Sequence, residues 1–146
     1  MKYVLMDSSH VEMIADIEQQ CFSAPWSLKS ITSELTNPLS LWVVAEDAGR
    51  VAGYVGSQSV MGEADMMNIA VLPEYRRHGI GYQLVNELVD KLRKNGVYCL
   101  SLEVRSSNVS AINLYDKLGF TKVGCRPGYY SNPKEDAWIL RKEWEV

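Results

Sequence analysis

Hydrophobic and polar positions alternate along this chain with two periods, and the switches between them mark its elements. Tyr3 to Met6 is a short apolar run that reads as a first strand. Val11, Ile14, Ala15, Ile17 and Glu18 then fall at helical spacing, ending near Phe22, with Ser9 and Glu12 spaced as a capping box. Pro25 breaks the pattern. Ser27 is placed to cap a second helix, whose stripe is Leu28, Ile31 and Leu35. Leu41 to Glu46 and Arg50 to Gln58 are rich in Val, Trp and Tyr around Asp47-Ala48-Gly49, which predicts a hairpin. Gly62 marks another turn, and Glu63 to Leu72 predicts a third consecutive strand, antiparallel to its neighbour because the connection is short.

The second half alternates strand and helix. Leu84, Val85, Leu88, Val89 and Leu92 repeat with the helical period up to Asn95-Gly96. Cys99 to Val104 reads as a strand, Asn108 to Leu118 as a helix stopped by Gly119, and Thr121 to Cys125 with Ala137 to Arg141 as a final strand pair. Arg126-Pro127-Gly128-Tyr129-Tyr130 falls in the connecting loop of that pair. Without an internal repeat or linker, residues 1–146 are expected to form a single α+β domain with a mostly antiparallel sheet.

Composition narrows the functions. Hydrophobic residues make up 47% and charged residues 23%, as in an ordinary globular protein. A net charge of −3 speaks against a broad nucleic-acid surface. No apolar run approaches the ~20 residues of a membrane span, and the N-terminus lacks the apolar core of a signal peptide. Cys21, Cys99 and Cys125 are scattered and odd in number, which suits a reducing cytoplasm. With only His10 and His78 as histidines, no metal site is expected.

Candidate chemistry lies in three stretches. Asn68 to Tyr82 (NIAVLPEYRRHGIGY) predicts a strand, a basic glycine-containing loop and a helix N-terminus. Backbone N–H groups, Gly79, Gly81 and two arginines suit a pyrophosphate, although an ordinary strand-to-helix turn has the same spacing. It lacks the third glycine of a dinucleotide fold and the Gly-Lys-Ser/Thr of a P-loop. In Leu100 to Arg105, Ser101 and Glu103 share one strand face; Glu103 is either a base or a carboxylate turned to solvent or paired with Arg105. On the last helix, Tyr115 shares a face with Ala111, Leu114 and Leu118, as a core aromatic or an acid. Asn108 is a helix cap or a ligand contact, and the loop aromatics Trp26, Tyr129 and Tyr130 line a groove or cover the core edge.

Taken together these stretches resemble the GNAT family of N-acetyltransferases. Arg76, Gly79 and Gly81 match the family's Gln/Arg-x-x-Gly-x-Gly/Ala motif, and Leu102-Glu103-Val104-Arg105 through Asn108, Ala111, Leu114-Tyr115 and Leu118-Gly119-Phe120 is similar to its second block. Pro25-Trp26-Ser27, Arg126 with Tyr129-Tyr130, and Glu135-Asp136-Ala137 are similar to the RimI-like branch of ribosomal-protein-alanine N-acetyltransferases. The resemblance implies a three-layer αβα fold with a central mixed, mostly antiparallel sheet. It implies acetyl-CoA as co-substrate, held by Ile69, Ala70 and Val71, by Arg76, Arg77, His78, Gly79, Ile80, Gly81 and Tyr82, and by Asn108. It also implies Glu103 as proton acceptor, Tyr115 as proton donor, Trp26 and Tyr130 as substrate contacts, and the N-terminal alanine of a ribosomal protein as acceptor. A GNAT enzyme acting on lysines or small amines, or an acyl-CoA-binding module without turnover, is the alternative.

Overall fold

The computed structural model describes residues 1–146. Its elements in chain order are β1 (Lys2–Leu5), α1 (Val11–Cys21), α2 (Leu28–Glu34), β2 (Ser40–Asp47), β3 (Arg50–Val60), β4 (Glu63–Val71), α3 (Ile80–Lys94), β5 (Cys99–Arg105), α4 (Val109–Lys117), β6 (Thr121–Tyr130) and β7 (Glu135–Glu143). The strands form one sheet of seven in the order β1-β2-β3-β4-β5-β7-β6. Every neighbouring pair is antiparallel except β4 and β5, which run parallel. The arrangement is the expected three-layer α+β fold, with helices on both faces of a mixed, mostly antiparallel sheet.

The near-continuous apolar runs of the central strands follow from burial on both faces. In β2, Val43 and Ala45 face α3, whereas Trp42 and Val44 face α1 and α2. The larger core packs Leu84, Leu88 and Leu92 of α3 against β2, β3 and β5, with Tyr115 and Leu118 of α4 at its edge. The smaller core joins Ile14 and Ile17 of α1 and Ile31 of α2 to Trp42, Val51 and Tyr54. There Trp42 lies between Trp26, edge-on at 5.4 Å, and Tyr54, stacked at 5.9 Å.

Helix ends mostly obey local chemistry. Ser27 Oγ accepts the Ser30 N–H at 3.1 Å, and Asn108 Oδ1 accepts the Ala111 N–H at 3.2 Å. The capping box expected from Ser9 and Glu12 does not form. Asp7 Oδ1 instead accepts the Ser9 N–H at 2.8 Å and closes a tight turn, so α1 starts after His10. Leu28, expected in the apolar stripe of α2, is 44% exposed because it sits in the first turn of a helix of seven residues anchored by Ile31. Arg126 to Tyr130, expected as a loop, continues β6. The register against β7 shifts between Arg126 and Tyr130, and this irregularity takes up Pro127 and Gly128.

The Trp42 ring lies directly over Gly56 of β3, where an added Cβ would stand 2.3 Å from it. Gly56→Ala is therefore expected to destabilise the fold by about 2 kcal/mol through overpacking. A lowered urea midpoint checks this; an unchanged midpoint contradicts it.

Candidate active site

The site begins where the sheet opens. β4 and β5 pair over Glu63↔Cys99, Ala64↔Leu100 and Asp65↔Ser101 and then part. A bulge in β4 accompanies the parting: Gly56 pairs with Asn68 but Ser57 pairs with Met66, leaving Met67 as the extra residue. Beyond it, Leu72 N–H donates to Ala52 O of β3 at 2.9 Å. Backbone groups alternate along a strand, so the amides of Ala70 also face β3 and those of Ile69 and Val71 face the gap. A groove of about 1920 Å³ occupies this opening.

One end of the groove is built by the turn into α3. Pro73–Tyr75 forms a single 3-10 turn, and α3 then starts at Ile80 with Gly79 as its N-cap. Arg77 and Gly79 both have left-handed backbones, φ 67° and 77°. The glycine adopts this freely, while the arginine costs about 1 kcal/mol. No side chain caps the helix, so the N–H groups of its first turn are free to meet an anion. Arg77, Gly79, Ile80, Gly81 and Tyr82 line the groove, as do Ile69, Ala70, Val71 and Asn108. His78 does not line it. The Arg76 side chain folds back, donating from Nε to Val71 O at 3.0 Å, with Nη2 3.7 Å from Cys21 Sγ. It thereby satisfies a carbonyl that the departing β5 leaves without a partner.

Titratable groups gather at the middle. Leu102 and Val104 belong to the α3–α4 core, which turns Glu103 to the α1–α2 face. Its carboxylate pairs with Arg126 of β6, Nε to Oε1 3.2 Å. Arg105, the partner considered from sequence, instead bonds Glu135 at 3.3 Å and lies over the Tyr130 ring, 4.4 Å from its centroid. A hydrogen bond to Glu103 pushes the Tyr129 phenol upward, with burial adding to it. Tyr115 approaches from the opposite face on α4. It is 4% exposed, packs edge-on against Phe120, and points its hydroxyl to Met66 Sδ of β4 at 3.7 Å. Burial pushes its pKa up to about 12, with a smaller contribution from Tyr130. Glu103, Tyr115 and Tyr130 thus line one groove. Trp26 does not line it; its ring packs on Trp42.

One group escaped the sequence reading. Glu18 is 1% exposed, and it bonds Asn68, which lines the groove. The available signal was a carboxylate sharing the buried face of α1 with Val11, Ile14 and Ile17.

The parted parallel strands have a basic turn at one end and a carboxylate and a phenol at the middle, groups suited to acyl transfer. Residues 11–120 match the acetyltransferase (GNAT) family, and the chain belongs to it. Among particular proteins, it is 40% identical over 126 residues to the ribosomal protein bS18-alanine N-acetyltransferase of Escherichia coli (strain K12), covering 85% of this chain and 84% of that one. The Haemophilus influenzae protein of the same name is 36% identical over 139 residues, with 92% and 93% covered. The crystal structure of the ribosomal-protein-S18-alanine N-acetyltransferase from Escherichia coli superposes with a TM-score of 0.90, at 35% identity and covering 99% of this chain and 94% of that chain.

The Tyr115 shift has a pH signature. Its phenol ionises near 10 in the unfolded chain and near 12 when folded. The unfolded state therefore loses its proton first, and stability is full below pH 10 and falls as pH rises towards 12. The thermal midpoint of the wild type should fall more steeply across this window than that of Tyr115→Phe. Equal slopes contradict the burial effect.

Proposed function

We propose that this protein transfers the acetyl group of acetyl-CoA to the N-terminal alanine of ribosomal protein bS18, the acceptor named for its bacterial relatives. The observation that carries the chemistry is the gap between β4 and β5. It is flanked by Glu103 on one face of the sheet and Tyr115 on the other. A thioester in the gap would meet an amine from the α1–α2 side and have its sulfur beside α4.

The residues present fit acetyl-CoA. The first-turn N–H groups of α3, with Arg77 beside them, suit the pyrophosphate. The gap-facing N–H groups of Ile69 and Val71 suit an extended chain carrying carbonyls and the oxygen that gains charge during acyl transfer. Asn108 and Tyr82 complete the wall on the helix side.

The steps balance without another reactant. An N-terminal α-amine has a reference pKa of about 7.7–8.0, so Glu103, directly or through a water, has a modest task in taking one proton. The nitrogen forms a bond to the acetyl carbon, the carbon–sulfur bond breaks, and the nitrogen sheds its second proton through solvent as it becomes an amide, a proton that restores the phenol of Tyr115 after its own transfer. Tyr115, kept protonated by burial, gives its proton to the departing thiolate. Tyr130, beside both groups, is placed to contact the acceptor. Fixing both reactants in the groove supplies the remaining acceleration.

The test is acetylation of a peptide bearing the bS18 N-terminus, read by mass spectrometry. The free α-amine should be acetylated, and the same peptide with a blocked N-terminus should stay unmodified at its lysines. Lysine acetylation of the blocked peptide contradicts the proposal. Tyr115→Phe should lower kcat by about a hundredfold with acetyl-CoA affinity unchanged. Glu103→Gln should lose most activity at low pH, where the amine is protonated, and approach the wild type at high pH. A pH-independent deficit removes Glu103 as the base.

A further inference from the structure

Glu18 is a buried carboxylate that the proposed chemistry does not use. Its Oε1 accepts the backbone N–H of Trp26 at 2.9 Å. Its Oε2 accepts the Asn68 side-chain amide at 2.7 Å and also the hydroxyl of Tyr54. Three donors compensate the desolvation of one charge. Burial, together with the bond to Glu18, pushes the Tyr54 phenol strongly upward, so the phenol keeps its proton and donates it to Glu18 Oε2.

The consequence falls on Asn68. A carboxylate accepts and does not donate, so Asn68 must meet it with its NH₂ end. An isolated amide turns over freely between its two ends; Glu18 removes that choice. Asn68 Oδ1 is directed away from Glu18, and nothing in the chain donates to it. Asn68 follows the β4 bulge and lines the groove. Its bond to α1 puts it on the α1–α2 face, the same face as Glu103 across the gap.

We propose that Asn68 is a further acceptor-binding residue whose Oδ1 takes an N–H of the attacking α-amine. Glu18 is its positioning residue, fixing which end of the amide the groove presents. This inference rests on the proposed N-terminal acetylation. When Glu103 takes one proton, the amine keeps two N–H bonds; holding one on Asn68 turns the nitrogen lone pair toward the thioester. Glu18 also holds Trp26 and so ties the end of α1 and the loop after it, of which Cys21 to Ala24 line the groove, to the strand that carries Asn68.

The experiment measures peptide KM, the acetyl-CoA dissociation constant, and the Ki of a des-amino peptide whose N-terminal alanine is replaced by a propionyl group. In Glu18→Gln the new NH₂ needs an acceptor, so Asn68 turns over and presents NH₂ to the groove. Peptide KM should rise about tenfold, the worth of one hydrogen bond to the amine, with acetyl-CoA affinity and des-amino Ki unchanged. Asn68→Ala, which leaves Trp26 and Tyr54 on Glu18, should raise KM similarly. The double variant Glu18→Gln/Asn68→Asp should recover KM to within about threefold, because the carboxylate moved to β4 accepts from both the amide introduced on α1 and the substrate amine. Tyr54→Phe should lower the thermal midpoint without moving KM. An unmoved KM in Asn68→Ala, a parallel rise in des-amino Ki, or an equal KM rise in Tyr54→Phe overturns the inference. Absence of wild-type acetylation of the free-amine peptide overturns the functional reading itself, whereas wild-type turnover with unmoved variants overturns this inference alone.

Discussion

A strand that leaves its neighbour inside a sheet must still satisfy its backbone. β4 faces this constraint after Asp65, where its pairing with β5 stops. Its β3 side remains bonded up to Leu72, while its other side turns N–H and C=O groups into the gap. Arg76 bonds one of those carbonyls, that of Val71. The N–H groups of Ile69 and Val71 are left for whatever enters. The opening persists because each half of the sheet is internally bonded: β1 to β4 on one side, β5 to β7 on the other. Helix α3 bridges the halves, packing Leu84, Leu88 and Leu92 in a core that includes Val43 and Val55 as well as Leu100 and Leu102.

The same opening connects the two faces of the sheet. Strand alternation sends Glu103 and Asn68 towards α1 and α2, and α4 brings Tyr115 up from behind. A reaction that takes a proton from the amine on one side and delivers one to the sulfur on the other suits this separation, since each group then faces the atom it would serve. Environment keeps the proposed roles apart. Tyr115 is shut away from water and holds its proton. Glu103 is partly exposed and faces the cation of Arg126. Glu18, deeply buried, commits its hydrogen-bonding capacity to three donors and serves orientation.

Local signals carried most of the fold. Periodicity placed four helices and the β2–β3–β4 meander, because each apolar face is buried by one neighbouring layer. What was lost depended on long-range geometry. Pro127 and Gly128 hid the continuation of β6, since the strand crosses them by a shift of register that only β7 reveals. Asp7 displaced the capping box by taking both the Ser9 N–H and the Ser9 hydroxyl. For the site, the loop spacing suggested an anion-binding turn before α3 but not that Arg76 folds back to β4. Glu18 read as one more position on a helix, because its partners lie 8, 36 and 50 residues away. Trp26 is half-buried with its ring against Trp42, a contact that the motif around it had no means of showing.

The central claim is that the thioester occupies the β4–β5 gap between Glu103 and Tyr115. A crystal structure of the protein with bound acetyl-CoA tests it most directly. The account predicts the thioester oxygen within about 3 Å of a gap-facing N–H of Ile69 or Val71, and the sulfur on the Tyr115 side of the sheet. A thioester lying outside the gap, with those N–H groups unengaged, contradicts it.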